Sequence, residues 1–120
     1  MLRNILLVGA GGALGCVARY LLTLLFARFA LWGEAAVLAA NVAGSLLIGV
    51  VASAACGGVS LFAAVGFCGG FTTFSTFVAQ TLALLHAGRL FAAAAYASVS
   101  VVASVAAVFV GFYCGGRLFR

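Results

Sequence analysis

The chain has 120 residues, 68% of them hydrophobic and only 6% charged, with a mean hydropathy of +1.38. A soluble domain averages roughly 45–50% apolar and about 25% charged residues, so this chain has too little charge to coat a water-facing surface and needs lipid as solvent. Its net charge of +5 comes from six Arg set against one acid, Glu34; Arg3, Arg19, Arg28, Arg89, Arg117 and Arg120 stand singly between apolar runs, which is flanking charge at a membrane interface rather than a nucleic-acid surface.

Four apolar runs follow one another, at about 4–27, 34–56, 60–85 and 90–115. Each exceeds the ~20 residues that span a ~30 Å hydrocarbon core at 1.5 Å per residue. The breaks between them are short, and no stretch remains for a soluble domain or linker. The expected fold is therefore an all-α integral membrane protein, one domain over residues 1–120 with four transmembrane helices.

The first run opens after Arg3, as a signal peptide does. It is too long for one, lacks a small-x-small site and is followed by three more runs, so a retained helix is expected. Gly9-Ala10-Gly11-Gly12 hints at a nucleotide-binding glycine loop, but the strand-to-helix context is missing. Arg19 lies several residues in from the end of this run. It either snorkels to the headgroups or places positive charge at the mouth of an anion pathway.

In the second run Asn41 lies well inside the membrane, where a polar side chain is costly and therefore informative. Its amide can donate two hydrogen bonds and accept others. A packing bond between helices and a functional role are both open.

The third run carries the most informative stretch, Gly66-Phe67-Cys68-Gly69-Gly70-Phe71-Thr72-Thr73-Phe74-Ser75-Thr76-Phe77. Paired Gly followed by Thr and Phe is poor helix, so the third helix is expected to break near midplane. A break frees carbonyls and N–H groups that an ion, water or side chains must satisfy; carbonyls suit a hard cation such as Na⁺. Phe74 and Phe77 are three apart and share a side of a helix. Each ring has a positive edge that can face an anion, although any one such Phe is equally explained by lipid contact or packing.

In the fourth run Tyr96, Ser100 and Ser104 recur every four residues and share one face, a candidate track of hydroxyl donors. Ser98 falls off that face. Pairs of small residues four apart (Gly11 and Gly15, Ala40 and Gly44, Gly66 and Gly70, Gly111 and Gly115) allow helices to approach closely.

Cys16, Cys56, Cys68 and Cys114 form no C-x-x-C pair. They are expected to pack as small apolar residues rather than to bind zinc. His86, beside Gly88 and Arg89, reads as an interfacial residue. The Arg count between the two sides is three to two, or three to three with Arg19, so the topological bias is nearly absent. A chain that inserts both ways can pair with itself as an antiparallel dual-topology dimer.

Taken together, Gly11-Gly12-x-x-Gly15-x-x-x-Arg19-Tyr20, Asn41-x-x-Gly44-Ser45-x-x-x-Gly49, the Gly66–Phe77 stretch and the spacing of Tyr96, Ser100 and Ser104 resemble the Fluc/CrcB family of bacterial fluoride channels along the whole chain. The resemblance implies a passive, fluoride-selective channel of the bacterial inner membrane that confers fluoride resistance. It implies an antiparallel homodimer with two pores. Asn41, Phe74, Phe77, Tyr96, Ser100 and Ser104 would line the fluoride path, with Arg19 at its vestibule. The backbone carbonyls of Gly69 and Thr72 would hold a structural Na⁺ at the dimer centre. Gln80 departs from the pattern, since relatives often carry Glu there; an amide keeps hydrogen-bonding capacity but cannot ionise.

Two other readings compete. A small multidrug exporter is also short and four-helical, but its chemistry needs a membrane-embedded carboxylate, and Glu34 sits at a loop edge. A non-transporting assembly subunit would use the same polar groups as glue between helices. No carboxylate pair, nucleophile–base set or metal cluster points to an enzyme.

Overall fold

Residues 1–119 are described by a computed structural model of the chain; Arg120, counted above in the charge balance, lies outside the described residues. Four helical segments are long and apolar enough to cross a membrane: Leu2–Arg28, Gly33–Ala54, Gly57–His86 and Leu90–Leu118. Each begins and ends within about three residues of the apolar run that predicts it. The links between them are only a few residues long, so successive spans alternate in direction.

The tightest pairings join spans that run parallel, the first with the third and the second with the fourth, and glycine permits both. A Cβ added at Gly11 would lie on the Phe62 carbonyl, and one at Gly15 on the Phe67 carbonyl. In the other pair, a Cβ at Gly49 would lie on the Val108 carbonyl and one at Gly111 on the Leu46 carbonyl. Lipid offers no hydrophobic drive between helices, so such close backbone contact carries the packing. Gly111→Ala is expected to force the second and fourth spans apart, at about 1–3 kcal/mol for overpacking. A lowered melting temperature in detergent checks this; an unchanged one would show that the helix pair can slide.

The third span breaks within the Gly66–Phe77 stretch, as expected, and does so at its threonines rather than at its glycines. Gly57–Ser60 continues into a π-helical stretch, Leu61–Cys68, and one more turn, Gly69–Phe71. Gly69 and Gly70 remain helical; the chain extends at Thr72 (ψ 155°) and Thr73 (ψ 115°) and becomes helical again over Phe74–His86. Close approach explains the difference. A Cβ at Gly70 would lie on the Gly12 carbonyl and 3.1 Å from the Cys16 nitrogen, so this glycine serves contact with the first span. The β-branched threonines, which accept extended backbone readily, take the break.

Of the four cysteines only Cys68 is buried; Cys16, Cys56 and Cys114 are exposed. Packing thus describes one of the four. The others sit on outward faces or in the second link, where a thiol is apolar enough to be tolerated. Arg117 stacks over the Tyr113 ring, 4.7 Å from its centre, a pairing suited to a membrane interface.

Candidate functional site

Breaking a helix inside a membrane leaves polar backbone groups that cannot turn to water. Each half of the third span is finished by side chains. Asn41, from the second span, bridges the break: its Oδ1 accepts from the Thr73 N–H at 2.8 Å and its Nδ2 donates to the Thr73 carbonyl at 3.1 Å. The Thr73 N–H can only donate, which fixes the amide orientation. One Nδ2 hydrogen remains uncommitted.

Thr73 is the N-cap of the second half-helix, its hydroxyl accepting from the Thr76 N–H at 3.3 Å. Threonine in extended backbone before a helix is a favoured cap, so Thr73 marks in the sequence where the second half-helix begins. At the end of the first half-helix the Cys68 carbonyl accepts from both the N–H and the hydroxyl of Thr72. The Gly70 carbonyl accepts from Arg19 Nε at 3.2 Å. A cation at a helix C-terminus also meets the negative end of the helix dipole. Arg19 therefore reaches inward to the break, and its remaining guanidinium donors are not used by that bond.

These bonds leave two carbonyls without their helical donors. In an unbroken helix the Gly69 carbonyl would accept from the Thr73 N–H, and the Thr72 carbonyl from the Thr76 N–H. Both donors are diverted, to Asn41 and to the Thr73 hydroxyl. Gly69 itself is open, with nothing within 4 Å of a Cβ built there. Released backbone carbonyls are hard oxygen donors of the kind a cation such as Na⁺ accepts.

Beside the break lies a cavity of about 420 Å³ bordered by Asn41, Gly69, Thr72, Phe74, Phe77, Ser100 and Ser104. Two candidates stand apart from it. Arg19 approaches the break through Gly70, and Tyr96 packs on Phe77, its ring centre 5.2 Å away. Tyr96 donates its hydroxyl hydrogen to Gln80 Oε1 at 2.7 Å, so its proton is already placed and its ring is what it offers. Phe77 is buried, whereas Phe74, 5.7 Å away, is 75% exposed at the cavity edge. Among the described residues Ser100 is the one buried polar side chain, and its hydroxyl has no hydrogen-bond partner among them. Cys68, Thr73 and Ser45 also border the cavity, three residues that sequence reasoning had not placed in a site.

The electrostatics favour an anion. No acid borders the cavity; Glu34 lies in the first turn of the second span. The second half-helix directs its N-terminus, the positive end of its dipole, at the break. The residues that border the cavity include an amide, serine hydroxyls and two phenylalanine rings, groups that can present hydrogen-bond donors or positive ring edges without full charge, beside the released carbonyls of Gly69 and Thr72.

Comparison with known proteins shows the family. The family model described as "CrcB-like protein, Camphor Resistance (CrcB)" matches residues 6–112. A "Fluoride-specific ion channel FluC" of Nitrobacter winogradskyi is 47% identical over 117 residues, covering 89% of this chain and 90% of that protein. "Fluoride-specific ion channel FluC 2" of Natronomonas pharaonis is 46% identical, over 94% of this chain and 95% of its own. A protein of the same name as the first, from Chlorobium luteolum, is 41% identical, over 93% and 88%. With a match of this length to the family and relatives this similar from end to end, the chain belongs to the CrcB family of multi-pass membrane proteins.

Proposed function

We propose that this chain is the subunit of a fluoride-selective channel, through which fluoride leaves the cell passively and cytoplasmic fluoride is kept low. The observation that carries the reading is the cavity: its lining offers uncharged hydrogen-bond donors, including a buried Ser100 hydroxyl with no partner among the described residues. Fluoride is small and holds water tightly, so a pore must replace that water with hydrogen-bond donors. It must avoid full charges that would trap the ion, because conduction requires several weak sites. The relatives' names supply the ion. Passive flow through such a pore is transport, not enzymatic chemistry.

In this reading Asn41 gives its free amide hydrogen to the ion, Phe74 and Phe77 their ring edges, and Ser100 and Ser104 their hydroxyls. Tyr96 supports the Phe77 ring, held in place by Gln80. The uncommitted guanidinium donors of Arg19 draw anions toward the vestibule. The released carbonyls of Gly69 and Thr72 would hold a structural Na⁺, which supplies fixed charge and ties the half-helices together. The assembly is an antiparallel homodimer in the bacterial inner membrane. Its support is the near absence of topological bias, together with an exposed Phe74 and an open Gly69 that a second copy would cover. The multidrug-exporter reading lacks an acid at the cavity, and the assembly-subunit reading leaves the Ser100 hydroxyl unexplained.

The test is fluoride efflux from liposomes holding the purified protein, followed with a fluoride electrode and with chloride as control. Rapid fluoride loss with chloride retained supports the channel. Folded protein that releases no fluoride overturns it.

A further inference from the structure

We infer that Ser45 is a further ion-contacting residue, which extends the donor track one step beyond Ser104 toward the side of the membrane shared by the chain's two termini. The inference rests on the channel reading above and deepens it.

Ser45 borders the same cavity as Ser100 and Ser104 and lies one helical turn beyond Asn41 on the second span, so both face the same way. The second and fourth spans run parallel, and their glycine contacts set the register. Gly111 packs between Leu46 and Val50, and Gly49 between Val108 and Phe112. In that register Ser104 falls level with Asn41 to within about one residue, or ~1.5 Å of rise. Ser45 therefore lies two to four residues, roughly 3–6 Å, farther along the same direction. The fourth span has no polar side chain to match it there. Val105 follows Ser104 at the cavity wall, and Ile48 and Ala64 border the cavity as well.

Without Ser45, an ion moving past Ser104 would enter an apolar stretch with no donor. For a strongly hydrated anion such a stretch is a barrier, since a bare charge in low dielectric costs many kcal/mol. The Ser45 hydroxyl is half-buried and not otherwise engaged, unlike that of Ser53, which is spent on the Val50 carbonyl at 2.9 Å. Generic helix packing does not require a hydroxyl here, because alanine would pack equally closely.

The experiment compares wild type, Ser45→Ala and Ser45→Thr in the liposome efflux assay, with elution volume and melting temperature measured on each. Alanine is small and a good helix former, so the fold is expected to hold. The expected result is at least a fivefold slower fluoride efflux for Ser45→Ala, with melting temperature unchanged, and efflux within twofold of wild type for Ser45→Thr, which restores the hydroxyl. Efflux from Ser45→Ala within twofold of wild type overturns the assignment while leaving the channel reading intact. Equal loss in both variants also overturns it, because the site would then act through packing. A wild-type protein that moves no fluoride overturns the channel reading, and this assignment falls with it.

Discussion

Phe77→Ile is expected to slow fluoride efflux by about 100-fold or more while the protein still folds. Phe77 is buried at 9% exposure, between Phe74 and Tyr96, and borders the cavity. Isoleucine keeps most of the apolar bulk, so the packing cost is about 1–2 kcal/mol, including the lost aromatic pairing with Tyr96. What it cannot supply is a ring edge with partial positive charge. If that edge stabilises the dehydrated ion by about 2.7 kcal/mol at the barrier, its loss slows passage about 100-fold. Efflux and melting temperature measured on the same preparation separate the two effects. A folded variant with wild-type flux would remove Phe77 from the ion path, and a Phe77→Tyr variant that keeps flux would support the ring.

The four spans were legible because their cause is compositional: lipid imposes a length and a polarity on any helix that crosses it. The break in the third span was legible to within the Gly66–Phe77 stretch but not to the residue. Paired glycine has two uses in a membrane, to weaken a helix and to let another helix approach, and residue type alone does not separate them. The contact of Gly70 with Gly12 and Cys16 decides for approach, and leaves the break to Thr72 and Thr73. The same limit applies to the cysteines. Burial of Cys68 but not of Cys16 depends on which way each faces from its helix, and that follows from packing between spans rather than from the thiol.

The polar candidates were legible singly, through the cost of placing them in lipid. Their division of labour was not. Asn41 reads from sequence as either a packing residue or a pore residue; its two bonds to Thr73 show the first role, and its one spare hydrogen leaves it free for the second, which is proposed for it. Tyr96 reads as part of a hydroxyl track, yet its proton is held by Gln80, sixteen residues away in the chain. Ser45 was visible only as one letter of the Asn41-x-x-Gly44-Ser45 motif; Asn41 stands four residues before it, but a single pair does not mark a track as the repeat of three in the fourth span does. Its place depends on the register between two parallel spans, which no local pattern encodes.

The dual role proposed for Asn41 sets the second large expected effect. Asn41→Asp is expected to abolish fluoride efflux, and to do so more completely than Asn41→Ala. Aspartate can still accept from the Thr73 N–H, but an ionised carboxylate cannot donate to the Thr73 carbonyl and instead faces it with like partial charge. It also places a full negative charge on the path of an anion, where even at an effective dielectric of about 20 and 4 Å separation the repulsion is about 4 kcal/mol. That corresponds to roughly a thousandfold slower passage. Alanine loses both bonds to Thr73, at about 1–3 kcal/mol for each buried group left unpaired, but adds no charge. Melting temperature reports the scaffold loss, which is expected in both variants and larger for alanine. Efflux reports the path, where aspartate is expected to be the worse of the two, with infrared spectroscopy verifying its ionised state. Normal efflux in a folded, ionised Asn41→Asp variant would place the ion path elsewhere. If alanine is as inactive as aspartate and far less stable, Asn41 acts by holding the break rather than by meeting the ion.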